Sequence, residues 1–227
     1  MIKETIQSLK EELPATVKLV AVSKFHPLES IIEAYDAGQR VFAESRPQEL
    51  SAKVELLQQI RASKADESYM SDISWHFIGH LQTNKLKMVL SFVDLVESVD
   101  SFRLLQAIDK WGSLNDKVTD ILLECHISSD SSKQGFTSEE ICEVLNQCSQ
   151  YKYVRIRGVM GMATLTDDES VIKSDFARLV DISRSVVSRL EGASEISMGM
   201  SGDYEIAVKM GSTMVRIGSM IFGPRQY

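Results

Sequence analysis

The sequence predicts one α/β domain over residues 1–227, folded as a (β/α)8 barrel of the TIM type with an extra N-terminal helix. Helical and strand patterns alternate along the whole chain, and eight short apolar runs have the length of strands. No repeat, low-complexity segment or change of composition divides the chain. A doubly wound open sheet is the alternative, because local patterns do not distinguish a closed sheet from an open one.

The predicted strands are rich in Val, Ile, Leu and Phe, which is typical of parallel strands buried on both faces. They cover residues 17–22, 40–43, 75–79, 92–97, 119–127, 154–159, 195–198 and 213–217. Between them, apolar residues recur at helical spacing. After the first strand, for example, Leu28, Ile31, Ile32 and Tyr35 form the buried stripe of a helix.

Several predicted helices have recognisable starts. Ser45-Arg46-Pro47-Gln48 and Thr137-Ser138-Glu139-Glu140 have the form of capping boxes. Asp100 is the expected N-cap of the helix after the fourth strand, and Thr166 begins the segment that opens a long helix after the sixth. Residues 61–74 are polar and are predicted to form an exposed loop.

The two ends of the chain are unusual for a barrel. An amphipathic helix over residues 2–12 precedes the first strand and ends before Pro14. Only ten residues follow Ile217, which is too few for a normal eighth helix. We therefore expect the N-terminal helix to cover the gap in the outer layer.

Composition limits the class of protein. A net charge of -7 and a pI near 5.2 argue against nucleic-acid binding, and no apolar run approaches the roughly 18 residues of a membrane span. The N-terminus lacks the pattern of a signal peptide. Cys125, Cys142 and Cys148 have no disulfide or zinc spacing, which favours a reducing cytoplasm. The acidic surface and single domain favour a monomer.

Lys24 stands at the carboxyl end of the first predicted strand, where α/β proteins carry their reactive groups. Desolvation lowers the pKa of an amine, and a neutral amine attacks an aldehyde to form a Schiff base. The alternative is a strand-end lysine that only reaches water.

Two loops near the C-terminus have the composition of a phosphate site, and they follow strands 7 and 8, where barrels usually bind phosphate. Gly218 lets the backbone approach an anion, while Ser201 and Ser219 offer hydroxyl and N–H donors. The alternative is that these are ordinary turns and that Ser201 is an ordinary N-cap. Together with Lys24 and Arg216, however, they describe a site for pyridoxal 5′-phosphate (PLP).

Seven motifs carry a resemblance to a known family. They are VAVSK at residues 20–24, FAESRPQE at 42–49, WHFIGHLQTNK at 75–85, KQG at 133–135, GVMGM at 158–162, SMGMSGD at 197–203 and VRIGSMIFGPR at 215–225. With these motifs in order along nearly the whole chain, the sequence resembles the pyridoxal-phosphate homeostasis protein family. The resemblance implies a barrel like the N-terminal domain of alanine racemase.

The resemblance also implies roles for single residues. Lys24 would hold PLP as an aldimine, Arg216 would face the pyridine nitrogen, and Ser201, Gly218 and Ser219 would hold the phosphate. No catalytic residue and no metal ligand is assigned.

Two of these motif positions depart from the family pattern, and three residues, Ser45, His76 and His80, receive no cofactor role. Ser45 stands where many members have asparagine, and we interpret it as a helix cap. Ser219 stands where threonine is common, and it keeps the hydroxyl. His76 and His80 lie in a family motif, but a strand-borne histidine is more often a hydrogen-bonded core residue, so we assign them no chemistry.

The predicted function is storage and delivery of PLP within the cell, with apo PLP-enzymes as possible recipients. The alternative is a PLP enzyme such as an amino-acid racemase. Racemisation needs acid–base groups on both faces of the substrate, and in barrel racemases the resemblance implies that a C-terminal β-domain supplies the second. This chain ends at Tyr227 without residues for that domain, and an uncovered barrel mouth leaves the cofactor in water.

Two further hypotheses concern lysines. A class I-type aldolase would explain Lys24 but not Arg216 and the Gly218-Ser219 pair. Lys133, in the polar loop after the fifth strand, is a candidate for a second amine that accepts the aldehyde briefly during release. The alternative is that Lys133 is a solvated loop lysine.

Overall fold

The computed structural model describes residues 1–129 and 134–224, and its eight parallel strands close into a barrel in the order β1 to β8. Closure is direct, because Leu19 of β1 pairs with Val215 of β8. The predicted (β/α)8 fold is therefore confirmed, and the open-sheet alternative is wrong. The strands are β1 Lys18–Val22, β2 Val41–Glu44, β3 Ser74–Phe77, β4 Leu95–Val99, β5 Thr119–Cys125, β6 Val154–Gly161, β7 Glu195–Ser197 and β8 Met214–Ile217.

Helices surround the barrel, and one of them precedes β1. They are α1 Ile2–Glu12, α2 Leu28–Asp36, α3 Pro47–Lys64, α4 Leu86–Leu90, α5 Phe102–Asn115, α6 Ser138–Gln147, α7 Glu169–Arg189, α8 Tyr204–Lys209 and α9 Ser219–Phe222. Short 3₁₀ turns cover Thr83–Lys85 and Cys148–Gln150. None of the helices in the described ranges is both long and apolar enough to cross a bilayer.

The N-terminal helix lies where the sequence predicts it. The helix after β8, α9, is a single turn, and α1 packs against both α9 and α2. The Tyr204 hydroxyl of α8 donates to Glu12 Oε1 at 2.8 Å, which ties the end of α1 to the last part of the barrel. The extra helix thus completes the outer layer beside the short α9.

Two apolar regions hold the fold together. The larger one lies between the strands and the helices, and the smaller one fills the inside of the barrel. The buried residues of the inner cluster are Val20, Val22, Ala43, Leu95, Leu122, Met160 and Met214. Because side chains alternate along a strand, Arg216 is in phase with Met214, Glu97 with Leu95, and Glu124 with Leu122. The barrel is therefore apolar in its middle and charged towards the carboxyl ends of its strands.

One local prediction fails at the C-terminal end of helix α3. Residues 61–64 belong to α3, which ends at Lys64 rather than before Arg61. The side chain of Arg61 donates to the carbonyls of Tyr69 and Met70, so the following turn folds back on the helix. Residues 58–64 are mostly good helix formers, and the apolar Ile60 continues the stripe, so polarity alone was a poor guide here.

The predicted capping residues have mixed outcomes. The Thr137 box is confirmed, since Glu140 N–H donates to Thr137 Oγ1 at 3.2 Å and Thr137 N–H donates to Glu140 Oε2 at 2.8 Å. The Ser45 box is wrong, because α3 starts after Arg46 and has no side-chain cap from the described residues. Asp100 is not an N-cap either; Ser101 caps α5 through Leu104 N–H. In α7 the cap is Asp168, two residues after Thr166.

Gly158 provides a test of barrel closure. It lies where the register between β5 and β6 shifts, its φ is +154°, and an added Cβ would lie 1.9 Å from the carbonyl oxygen of Glu195 on β7. We expect Gly158→Ala to lower the free energy of unfolding by more than about 3 kcal/mol in urea titrations. The control is Gly202→Ala, where an added Cβ meets nothing within 4 Å and the expected change is below about 0.5 kcal/mol. Equal stability of the two variants would contradict the prediction.

Candidate functional site

The site is at the mouth of the barrel where β1 and β8 end side by side. Ala21 pairs with Ile217, and the next residues, Val22 and Gly218, remain in close contact. A Cβ added to Gly218 would lie only 3.2 Å from the carbonyl oxygen of Val22. Lys24 is two residues beyond Val22 and is half-buried. The lysine and the glycine loop thus share one mouth, as expected for the carboxyl ends of parallel neighbours.

A second contact joins the loop that carries Lys24 to helix α9. The rings of His26 and Phe222 stack, with their centroids 5.3 Å apart. Phe222 is the last residue of α9, and Ser219 is the first. The short helix after β8 is therefore packed against the segment that follows Lys24.

Ser201 and Ser219 come together from two loops. Their hydroxyl oxygens are 3.3 Å apart. The backbone N–H of Arg216 donates to the carbonyl of Gly199 at 2.9 Å, which brings the loop after β7 alongside β8. The N-cap of α8 is Asp203, so the interpretation of Ser201 as an ordinary N-cap is wrong. Two hydroxyls beside the first N–H groups of α9 form a small site with the chemistry that suits an anion.

Arg216 is buried inside the barrel with its guanidinium held on two sides. Nη1 donates to Ser197 Oγ at 2.6 Å, and Nη2 donates to the carbonyl of Gly161 at 3.0 Å. Nη1 is also 3.9 Å from Glu97 Oε2. The cation is thus fixed in orientation and has a carboxylate beside it.

Glu97 is the centre of a buried polar network that the sequence did not predict. Its Oε1 contacts His76 Nδ1 at 2.7 Å, and its Oε2 accepts from the Ser197 hydroxyl at 2.6 Å. Burial would raise the pKa of Glu97, but the His76 hydrogen bond and the charges of His76 and Arg216 outweigh it and lower the pKa below its usual value. His76 is therefore a hydrogen-bonded interior residue, in line with its sequence interpretation.

Glu124 is a second interior carboxyl that was missed. Burial, assisted by the charge of Asp100 and opposed by that of Arg216, raises the pKa of Glu124 to about 7. The sequence does contain a sign of its position: Glu124 follows Leu122 by two residues on a predicted strand, and because side chains alternate along a strand, both lie on the inner face of the barrel.

A second network supports the loop around Lys24 from outside the barrel. Lys53 Nζ of α3 donates to the carbonyl of Ser23 at 2.9 Å, to Glu44 Oε1 at 2.6 Å and to Glu49 Oε1 at 2.7 Å. The Ser23 hydroxyl also donates to Glu44 Oε1, at 2.7 Å. Glu49 Oε1 in turn accepts from the backbone N–H of residue 25 at 2.6 Å. Backbone groups on both sides of Lys24 are therefore bound to one buried ion cluster.

Comparison with known proteins places this geometry in a family. The family model described as the alanine racemase N-terminal domain matches residues 1–226. The pyridoxal phosphate homeostasis protein of Schizosaccharomyces pombe is 36% identical over 92% of this chain and 84% of its own length. That of Escherichia coli K12 is 33% identical over 94% of this chain and 88% of its own. The chain belongs to the pyridoxal phosphate homeostasis protein family.

Solved structures agree with this assignment. PipY of Synechococcus elongatus PCC7942, whose structure has PLP bound, is 34% identical and superposes with a TM-score of 0.86 over 98% of this chain and 100% of its own. An alanine racemase of Clostridium difficile 630 superposes with a TM-score of 0.76 at 13% identity, and this chain spans 57% of it. The similarity to alanine racemase concerns the fold alone.

The remaining motif residues of the homeostasis protein family lie in different places. The backbone of Ser45 packs against Gly79, where an added Cβ would be 2.0 Å from the Ser45 carbonyl oxygen. His80 is exposed, and its Nδ1 is 3.0 Å from Asp100 Oδ2. Lys133 lies outside the described residues.

The three cysteines are free thiols, of which Cys125 is buried and Cys142 is exposed. Burial raises the pKa of the Cys125 thiol, which keeps it protonated.

Proposed function

We propose that this protein binds PLP and acts in the intracellular homeostasis of the cofactor, holding it on Lys24 and passing it on. The observation that carries the proposal is that β1 and β8 end side by side, which puts Lys24, two residues after Val22, and the Gly218-Ser219 loop at one barrel mouth. The PLP-bound PipY structure and the names of the homeostasis proteins support it.

The residues of the mouth fit the parts of PLP. Ser201, Ser219 and the N–H groups of the first turn of α9 suit the phosphate, and the missing side chain of Gly218 leaves the backbone accessible. Arg216 faces the barrel interior as a donor for the ring nitrogen. Lys24 supplies the amine, and PLP supplies an aldehyde that forms a Schiff base with it.

The same arginine supports a carrier more than a catalyst. A guanidinium stays protonated at any relevant pH, so it donates a hydrogen bond to the ring nitrogen and disfavours a protonated pyridinium. A neutral ring is a weaker electron sink, which lowers the reactivity of an attached amino acid. Barrel racemases share the fold, so a PLP enzyme such as a racemase remains the second candidate function.

Recovery of the bound cofactor tests binding and attachment directly. The purified protein should absorb in the visible range, borohydride should abolish this absorption, and peptide mapping should find the reduced adduct on Lys24. An adduct on another lysine would refute the assigned residue, and the absence of any adduct would refute the Schiff base.

Isotope exchange separates carrier from enzyme. The holo-protein, incubated with each L-amino acid in deuterated water, should leave the α-proton in place. Exchange at rates of about 1 s⁻¹ or faster, within the usual range for enzymes, would establish catalysis instead.

Delivery of PLP to apo PLP-enzymes, a cytoplasmic location and a monomeric state complete the proposal. Transfer of PLP from the holo-protein to an apo-enzyme, followed by recovered activity, tests the first. The relay role of Lys133 belongs to the same assay, because Lys133→Ala should slow the transfer if this amine takes part.

A further inference from the structure

A continuous chain of polar contacts crosses the inside of the barrel. It runs from His76 on β3 to Glu97 on β4, then to Ser197 on β7, and ends at Arg216 on β8. These four side chains are buried, with exposed fractions of 4% or less. Arg216 closes the chain at the carbonyl of Gly161 on β6.

The hydrogen bonds in this chain have one direction. The Ser197 hydroxyl donates its proton to Glu97 Oε2, so its oxygen is left to accept from Arg216 Nη1. Nη2 donates separately to Gly161. Contacts at both terminal nitrogens define the plane of the guanidinium, and that plane depends on where Glu97 holds Ser197.

Glu97 also sets the local charge. Arg216 is faced by Glu97 from β4, by Glu124 from β5 and by Asp203 at the start of α8, while Glu97 is faced by His76 from β3. Among these three carboxyls, Glu97 is fully buried, and it is joined to Arg216 through the Ser197 hydroxyl, which bonds to both side chains. In so dry an interior its charge acts on the guanidinium with little screening.

We infer that Glu97 is a positioning residue for the cofactor: through Ser197 it orients Arg216 and partly balances its charge, so that the guanidinium is held in place to donate a hydrogen bond to an unprotonated ring nitrogen. This inference rests on the proposed function, since it concerns how the same mouth recognises PLP. The ligand feature that it selects is an aromatic nitrogen that accepts a hydrogen bond.

Glu97→Gln tests this role because it keeps the shape of the side chain and removes its charge. The more positive interior should lower the pH at which the visible absorption of the bound cofactor titrates by about one unit or more. It should also weaken PLP binding about tenfold. The matched control is Asp175→Asn in α7, a carboxylate with 1% exposure that accepts from Thr164 outside the barrel interior; this variant should keep the wild-type pH midpoint.

Glu97→Asp keeps the charge, so the pH midpoint of its visible absorption should lie close to that of the wild type. A merely space-filling role for Glu97 would not predict this. A crystal structure of cofactor-free Glu97→Gln supplies a reading that needs no PLP: Arg216 should leave Ser197 or Gly161. A midpoint and an affinity equal to wild type in Glu97→Gln, with Arg216 unmoved, would overturn the inference. Failure of the proposed function is distinct, because the wild-type protein would then show no cofactor absorption.

Discussion

Replacing Lys24 with alanine is expected to abolish two signals: the visible absorption of the bound cofactor before reduction, and the PLP adduct that borohydride reduction leaves on the protein. A Schiff base needs a primary amine, and Lys24 follows β1 at the mouth where the Gly218-Ser219 loop follows its neighbour β8. The phosphate and ring contacts do not need that amine, so weak, non-covalent PLP binding should survive. We expect at least a hundredfold loss of affinity, or about 2.7 kcal/mol, by equilibrium dialysis.

The matched control for this experiment is Lys209→Ala. Lys209 is an exposed lysine in the last turn of α8, so its removal tests for nonspecific labelling of surface amines. This variant should keep both the adduct and the absorption. An adduct that persists in Lys24→Ala, mapped to another lysine, would show that the amine has been assigned wrongly.

The position of the site could be predicted because it follows from strand order. Lys24 follows the first strand and Gly218 follows the last, and closure of a parallel barrel makes those two strands neighbours. Periodicity was sufficient for the eight strands, since each is a short apolar run between polar segments. Local sequence therefore determines much of the fold and brings the two ends of the chain to one mouth.

The supporting polar residues could not be found in this way. Glu97 and Ser197 are 100 positions apart in the sequence, and nothing near either one indicates the other. Glu44 and Lys53 are closer, but one lies on a strand and the other on a helix, so their pairing depends on how α3 packs on β2. A buried carboxylate looks like an exposed one until its partner is known, and that partner is a product of tertiary packing.

The errors at Ser45 and Asp100 have a related cause. A Ser or Asp before a helix is a plausible cap in either case, but a competing interaction decides whether it acts as one. Asp100 contacts His80 and Ser101, which leaves Ser101 to cap α5. At Ser45 the chain packs against Gly79 instead, and α3 begins two residues later.

Lys53→Met is expected to have the largest effect on stability among changes at the mouth. It leaves the Glu44 carboxylate buried without its cation and removes the donor to the Ser23 carbonyl beside Lys24. Loss of one partner of a buried pair costs about 3–5 kcal/mol. Burial already raises the pKa of Glu44 to about 7, although the charge of Lys53 lowers it. Without Lys53, Glu44 should therefore be protonated in the folded variant, and the loss of stability should lie at the lower end of the range of about 3–5 kcal/mol.

This mechanism predicts a dependence on pH that simple loss of packing does not. With Lys53 absent, the folded-state pKa of Glu44 rises further above its unfolded value of 4.5, so the folded state holds a proton that the unfolded state releases. Stability is then greatest below the unfolded pKa and declines as the pH rises towards the folded one. Above about pH 7 the folded wild type has released the Glu44 proton and the folded variant has not, so from there to pH 8 the variant should lose up to about 1.4 kcal/mol per pH unit relative to wild type.

Two further variants separate the charge from the packing. Lys53→Met combined with Glu44→Gln removes both charges, so it should remove most of the added pH dependence. Lys87→Met, at an exposed position of α4, should change stability by less than about 0.5 kcal/mol. If Lys53→Met were as stable as wild type at pH 8, the buried cluster would not be what holds the Lys24 loop, and the geometry of the amine would have to depend on the barrel interior alone.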